Sequence, residues 1–263
     1  LLDEPTRRKI ALFTNVEAES VFSSYDIDTT IYEIPLVFHE QRLDQVVLKK
    51  LNVESRHSDL RPWVQVMKSF RAMKEEIRIG LVGKYMELED AYKSVYEAIF
   101  HAGLANGVTA KLIQVDSARL EKAEDINALL GPEGENLDAV LIPGGFGERG
   151  INGMVLAARW ARENKVPCFG ICLGMQIMVI DWARHVLGWS SANSTEFDSD
   201  TSHPVVSLLE EQIDVKNYGG TMRLGKSETR LEPDTLMLAA YREPLVLERH
   251  RHRYEFSNTF RQD

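Results

Sequence analysis

From Ile77 to Cys172 the apolar positions repeat in one pattern. Short apolar runs at Ile77–Val82, Val108–Val115, Leu137–Ile142 and Val166–Phe169 predict buried strands. Between them, Ala91–Ala105, Ala118–Leu130 and Ile151–Asn164 carry the spacing of helices. Strands that alternate with helices imply right-handed crossovers and a parallel sheet with helices on both faces, so the predicted class is α/β. In such sheets ligands bind at the carboxyl ends of the strands. Gly83, the Gly144-Gly145 loop and Cys172 all lie at such ends, and the pattern predicts that they converge.

The flanks read differently. Residues 9–14 are expected to form a short strand, with Val21–Ser24 and Thr30–Ile34 as further candidates. Leu43–Leu51 and Trp63–Met73 have helical spacing, the second with a stripe of Trp63, Val66, Met67, Phe70 and Met73 that suits core packing. After Gly188 the chain turns β-like, with strands expected at Val205–Leu209 and Gly219–Gly225. The organisation expected is residues 1–54, a linker helix over 55–76, and a main domain over 77–263. The chain does not begin with Met, and it reads as cut from something longer.

Composition narrows the function classes. At 44% hydrophobic and 27% charged, the 263 residues can build a sizeable core, and a net charge of −9 argues against nucleic-acid and anionic-membrane partners. Two cysteines, Cys168 and Cys172, make neither a disulfide framework nor a metal site, which fits a reduced, cytoplasmic protein with no metal in this domain. No signal peptide or run of transmembrane length is present in the sequence.

Gly170-Ile171-Cys172-Leu173-Gly174-Met175-Gln176 is the stretch that carries chemistry. A strand that ends in Gly-x-Cys-x-Gly before a helix has the form of a nucleophile elbow, and the helix N-terminus behind Cys172 would favour a thiolate. The alternative is a structural cysteine buried in a strand–helix turn. Attack on an amide also needs an oxyanion hole; bare backbone at Gly144-Gly145 and the Leu173 N–H could supply it. Alone, Pro143-Gly144-Gly145-Phe146-Gly147 could equally be a phosphate loop or a plain turn, though it lacks the Lys-Ser/Thr pair of a Walker loop.

Taken together, Pro143–Gly147, Gly170–Gln176, Ala192-Asn193-Ser194-Thr195-Glu196-Phe197, Gly219–Gly225 and Glu248–Glu255 resemble the class I glutamine amidotransferase domain of the CTP synthase family. Gly83-Lys84-Tyr85 and Asp90–Ser94 match as well, and residues 1–76 resemble the end of that family's synthetase domain through Lys9–Val16 and Tyr32–Pro35. The resemblance implies a flavodoxin-like sheet preceded by a remnant of a P-loop-like α/β synthetase domain. It implies a ligase in pyrimidine nucleotide synthesis that makes CTP from UTP, ATP and L-glutamine. By the same resemblance Cys172 is the nucleophile, Gly145 and Leu173 frame the oxyanion, and Gly174, Met175 and Gln176 fall in the glutamine pocket. Glu196 and Arg253 would hold the substrate's amino and carboxylate groups, which suits an amino-acid zwitterion. GTP, the allosteric activator, is assigned to Lys93, Arg149 and Gly150, and the base of ATP to Tyr25, Asp26 and Ile27. Mg2+ would accompany ATP in the synthetase part. CTP as feedback inhibitor, a homotetramer and filaments are also implied.

One part of the pattern is missing. The family's triad adds a late His-Pro-Glu, and no such string occurs before Asp263. His101, His185, His203, His250 and His252 do not match the base. The 263 residues are therefore expected to be inactive alone, with the base supplied by a longer parent. A catalytically silent amidotransferase-like regulatory module, and a cysteine hydrolase of the same architecture with another substrate, are the competing readings.

Overall fold

The computed structural model describes residues 2–54, 58–124, 126–130, 137–208 and 223–262. The chain divides into two compact units, one of residues 1–76 with 98–109 and the other of 77–97 with 110–263.

In the first unit, helix α1 (Glu4–Thr14) occupies the span expected as a strand. A short apolar run does not distinguish the two, and the deciding signals lie upstream of it. Asp3 accepts the Thr6 N–H as N-cap, and Pro5 sits in the first turn where its missing donor costs nothing. Val21–Ser24 is not a strand, and Thr30–Ile34 enters a 3-10 turn that leads into α2 (Ile34–Glu40). Helices α3 (Leu43–Lys50) and α4 (Arg61–Ala72) stand where the spacing placed them. Met67 on α4 is buried, and Tyr32 stacks between Trp63 and Phe100 with centroids 6.2 and 6.0 Å away.

Next in the chain come β1 (Glu75–Gly83), α5 (Lys93–Asn106), β2 (Val108–Asp116), the short helices α6 (Ser117–Leu120) and α7 (Asn127–Leu130), and β3 (Ala139–Ile142); all of these belong to the second unit except residues 75–76 and 98–109, which fall in the first. Helix α8 (Ile151–Glu163), β4 (Cys168–Gly170) and α9 (Leu173–His185) follow. The helix expected over Ala118–Leu130 is thus two pieces; Asp116 caps the first by accepting the Ala118 N–H. The sheet order is β2-β1-β3-β4, with β1 and β3 parallel at Ile79–Ala139 and β3 and β4 parallel at Val140–Cys168. It is the parallel α/β sheet of the predicted class. Val82, Val140 and Ile142 pack with Met154 on α8 and Leu173, Ile177 and Ile180 on α9 to form the core.

Beyond α9 a second sheet pairs β5 (Asn193–Ser194) with β6 (Pro204–Leu208). An antiparallel ribbon, β7 (Arg223–Arg230) with β8 (Leu245–His252), brackets α10 (Leu236–Tyr241), and β9 (Tyr254–Phe256) returns to pair with β6. Of the Gly219–Gly225 string, residues 219–222 lie outside the described residues, and the rest begins β7.

Candidate active site

Cys172 follows β4 and precedes α9 with φ 55° and ψ −107°, a left-handed conformation that non-glycine residues adopt only under constraint. Two glycines impose it. A Cβ at Gly170 would lie 2.3 Å from the Gly174 carbonyl carbon, and one at Gly174 would lie 1.9 Å from the Ile142 carbonyl oxygen. The first turn of α9 therefore sits directly on the end of β3, and the elbow projects its thiol from the sheet's carboxyl edge. The glycine loop after β3 reaches the same place: a Cβ on Gly144 would be 3.5 Å from Cys172 Cβ, and one on Gly145 would be 3.3 Å from Leu173 Cδ2.

Gly145, Cys172, Leu173, Gln176, Glu196 and Arg253 line one cavity of about 310 Å³, with Phe146, His252 and Tyr254 completing its wall. The elbow, the loop after β5 and the β8–β9 junction are far apart in sequence, and the fold brings them to one place. Glu196 Oε1 accepts the Gly147 N–H at 3.4 Å, and Gln176 Nε2 donates to the Tyr254 carbonyl at 2.9 Å. Met175 lines a wider adjoining cavity of about 620 Å³, together with Tyr85, Tyr92, Phe146 and Arg251. Gly174 is buried and serves packing.

The electrostatics correct one expectation. The Cys172 thiol is pushed above the ordinary thiol range by burial, aided by the nearby Glu196 charge; the Leu173 N–H at the start of α9 works the other way and is outweighed. Burial also raises the Glu196 carboxyl, against the Gly147 N–H and the charges of Lys84 and Arg253. Lys84, almost fully buried, is lowered to about 8 by desolvation, with Glu196 opposing.

The remaining candidates lie outside these cavities. Arg149 donates to the Lys84 carbonyl, and exposed Lys93 pairs with Glu97 at 3.1 Å. Gly150 packs on Ser117, where a Cβ would fall 2.1 Å from its hydroxyl oxygen. Tyr25, Asp26 and Ile27 belong to the first unit. Among the described residues no group of three or more His, Cys, Asp or Glu side chains is placed to hold a metal ion, and no helix is long and apolar enough to cross a membrane. His252 and Tyr254 were not singled out as site residues; the string Glu248–Glu255 that places Arg253 also carries them, and all three line the cavity where β8 gives way to β9.

A parallel sheet, a strained cysteine elbow and a facing glycine loop define the class of the chain, and comparison with known proteins agrees. Residues 87–263 match the family described as glutamine amidotransferase class-I, so the chain belongs to the class I glutamine amidotransferases. Within that family its relatives are CTP synthases. Residues 1–53 match the CTP synthase N-terminus family. The CTP synthase of Aquifex aeolicus is 47% identical over 262 residues and that of Clostridium acetobutylicum 46% over 260, covering 100% and 99% of the chain. The chain spans about half the length of these relatives, 48% of each. The solved glutaminase domain of Trypanosoma brucei CTPS with bound acivicin is similar at 39% identity and a TM-score of 0.61, over 71% of this chain and 70% of that one.

Proposed function

We propose that this chain carries the glutaminase half of a CTP synthase, which hydrolyses L-glutamine at Cys172 and passes ammonia on for the amination of UTP. The observation that carries the reading is the single cavity in which a cysteine elbow meets one carboxylate and one guanidinium. An α-amino acid offers one ammonium and one carboxylate, and Glu196 and Arg253 would pair with them, setting the side-chain amide at Cys172. Sγ attacks the amide carbon, and the oxygen that becomes negative is met by the Leu173 and Gly145 N–H groups. Collapse of the tetrahedral adduct breaks the C–N bond and releases ammonia, leaving a thioester that water hydrolyses to glutamate.

The raised thiol needs a base to accept its proton and return it to the departing nitrogen. The 263 residues contain no His-Pro-Glu, and we propose that alone they do not turn over glutamine. In the whole enzyme the reaction would consume UTP and ATP and yield CTP, ADP, phosphate and glutamate, in the cytoplasm and as a homotetramer able to form filaments. GTP would activate near the glycine loop through Lys93, Arg149 and Gly150, CTP would inhibit, and ATP would contact Tyr25–Ile27. The described residues offer no acidic cluster for Mg2+. The ion would arrive with ATP at the synthetase site, and no step at Cys172 is drawn through it.

In the full-length gene product, a glutamine-analogue electrophile such as diazo-oxo-norleucine is expected to label Cys172, and acivicin to compete for the same pocket. Cys172→Ala is expected to abolish glutamine-dependent CTP synthesis while ammonia-dependent synthesis continues. Equal loss of both activities would count against a purely glutaminase role. The second reading, a silent regulatory module, draws on the raised thiol; it requires that full-length protein neither hydrolyse glutamine nor be labelled.

A further inference from the structure

The lysine at the end of β1 has no part in the reaction just described, yet its surroundings are those of the site. Lys84 is only 2% exposed. Lysines are almost never fully buried without a partner, because desolvating the ammonium costs several kcal/mol that an apolar side chain would not incur. Here the ammonium donates to the carbonyl of Phe146 at 3.3 Å and to that of Gly147, the two residues after Gly145. Its stem lies against the loop too: a Cβ at Gly145 would meet Lys84 Cδ at 3.3 Å.

Neighbouring bonds join the same two segments. The Tyr85 hydroxyl accepts the Phe146 N–H at 3.3 Å, and the Arg149 guanidinium donates to the Lys84 carbonyl. Tyr92 holds Lys84 itself by accepting its N–H at 3.1 Å. On the other side of the loop Glu196 takes the Gly147 N–H at 3.4 Å. A glycine-rich loop has many conformations open to it, and an oxyanion donor is effective only when preset. The clamp selects one conformation.

Building on the glutaminase reading, we propose that Lys84 is a positioning residue for glutamine hydrolysis: by capping the Phe146 and Gly147 carbonyls it fixes the glycine loop so that the Gly145 backbone N–H faces the oxyanion formed at Cys172. It does not touch substrate. It acts through the loop.

The test is Lys84→Met in the full-length gene product, with kcat and KM for glutamine hydrolysis and the rate at which iodoacetamide alkylates Cys172. Alkylation has no oxyanion, so it reports the thiol without the loop. Loss of a preset donor predicts a fall of about 10²-fold in kcat, with KM and the alkylation rate each within about threefold of wild type. A kcat within about threefold of wild type overturns the proposal, and so does a fall in kcat matched by an equal fall in alkylation. Should Lys84→Met fail to fold, Tyr85→Phe removes only the hydroxyl that holds the Phe146 N–H. The proposal then expects kcat to drop about tenfold at constant KM, and an unchanged kcat overturns it. Cys172→Ala separates the two levels. If that variant still hydrolyses glutamine, the glutaminase reading fails; if it is inactive while Lys84→Met is normal, only the role of Lys84 fails.

Discussion

Gln176 Nε2 donates to the Tyr254 carbonyl at 2.9 Å, and this bond ties the nucleophile helix to the residue that follows Arg253. Gln176 itself is buried. Gln176→Ala should remove this bond, at about 1 kcal/mol, and loosen the guanidinium beside it. The expected result is a KM for glutamine raised about tenfold with kcat changed less, read from steady-state glutaminase kinetics of the full-length protein.

Gly174 has the least room of the elbow's glycines. A methyl group there would meet the Ile142 carbonyl oxygen at 1.9 Å and its carbonyl carbon at 2.8 Å, and backbone of a core strand has nothing flexible to move aside. Gly174→Ala should destabilise by about 3 kcal/mol, which for a domain of this size lowers Tm by roughly 6–12 °C. Thermal unfolding measures it. A variant that melts with the wild type would mean that α9 does not start hard against β3.

Most of the span 77–185 was legible because its apolar runs are regular enough to fix which side is buried; the run over 118–130 is the exception, broken into α6 and α7. Residues 9–14 were misread for the opposite reason: six residues fit either period, and the cap at Asp3 and Pro5 lay outside the window. At the site, Cys172 announced itself through its two glycines, whereas Glu196 and Arg253 are ordinary surface residues until the fold carries them to the cavity. The thiol shows why local chemistry was insufficient. The helix N-terminus does act on Cys172 as expected, but burial, which depends on the loops around it, acts more strongly. Lys84 went unassigned because a lysine in sequence gives no sign that its ammonium will be enclosed.

That thiol also sets a pH dependence. With Cys172 held above the ordinary thiol value, the reactive thiolate is a minor species at neutrality and grows about tenfold per pH unit. Alkylation of Cys172 in the 263-residue chain should therefore climb steadily through pH 9, faster than a free thiol approaching its plateau. A rate that levels off below pH 8 would show an activated thiolate instead.

Asp181 carries the contact between α8 and the far end of α9. Its carboxylate, 4% exposed, accepts from Arg162 Nε at 2.9 Å and lies 2.9 Å from His185 Nδ1. Removing one member of a buried ionic group leaves the others uncompensated, so Asp181→Ala should cost about 3 kcal/mol. Chemical denaturation should show it as a lower midpoint at unchanged slope.

Lys84 makes the last prediction quantitative. Its pKa falls from the ordinary 10.5 to about 8 in the folded chain because burial penalises the ammonium. Below pH 8 the lysine is charged in both states, and its full cost to stability, about 3 kcal/mol, is present without a pH slope. Between 8 and 10.5 the unfolded chain holds a proton that the native one has released, so stability rises with pH across that window and levels off above it. Other groups titrate there too, and the difference between wild type and Lys84→Met isolates this one. The variant should be the more stable protein at pH 7, by an amount reduced by the carbonyl hydrogen bonds it loses, and its advantage should shrink as pH rises from 8 to 10. An advantage that does not vary with pH would mean that the ammonium is not desolvated. The clamp on the glycine loop would then involve no buried charge.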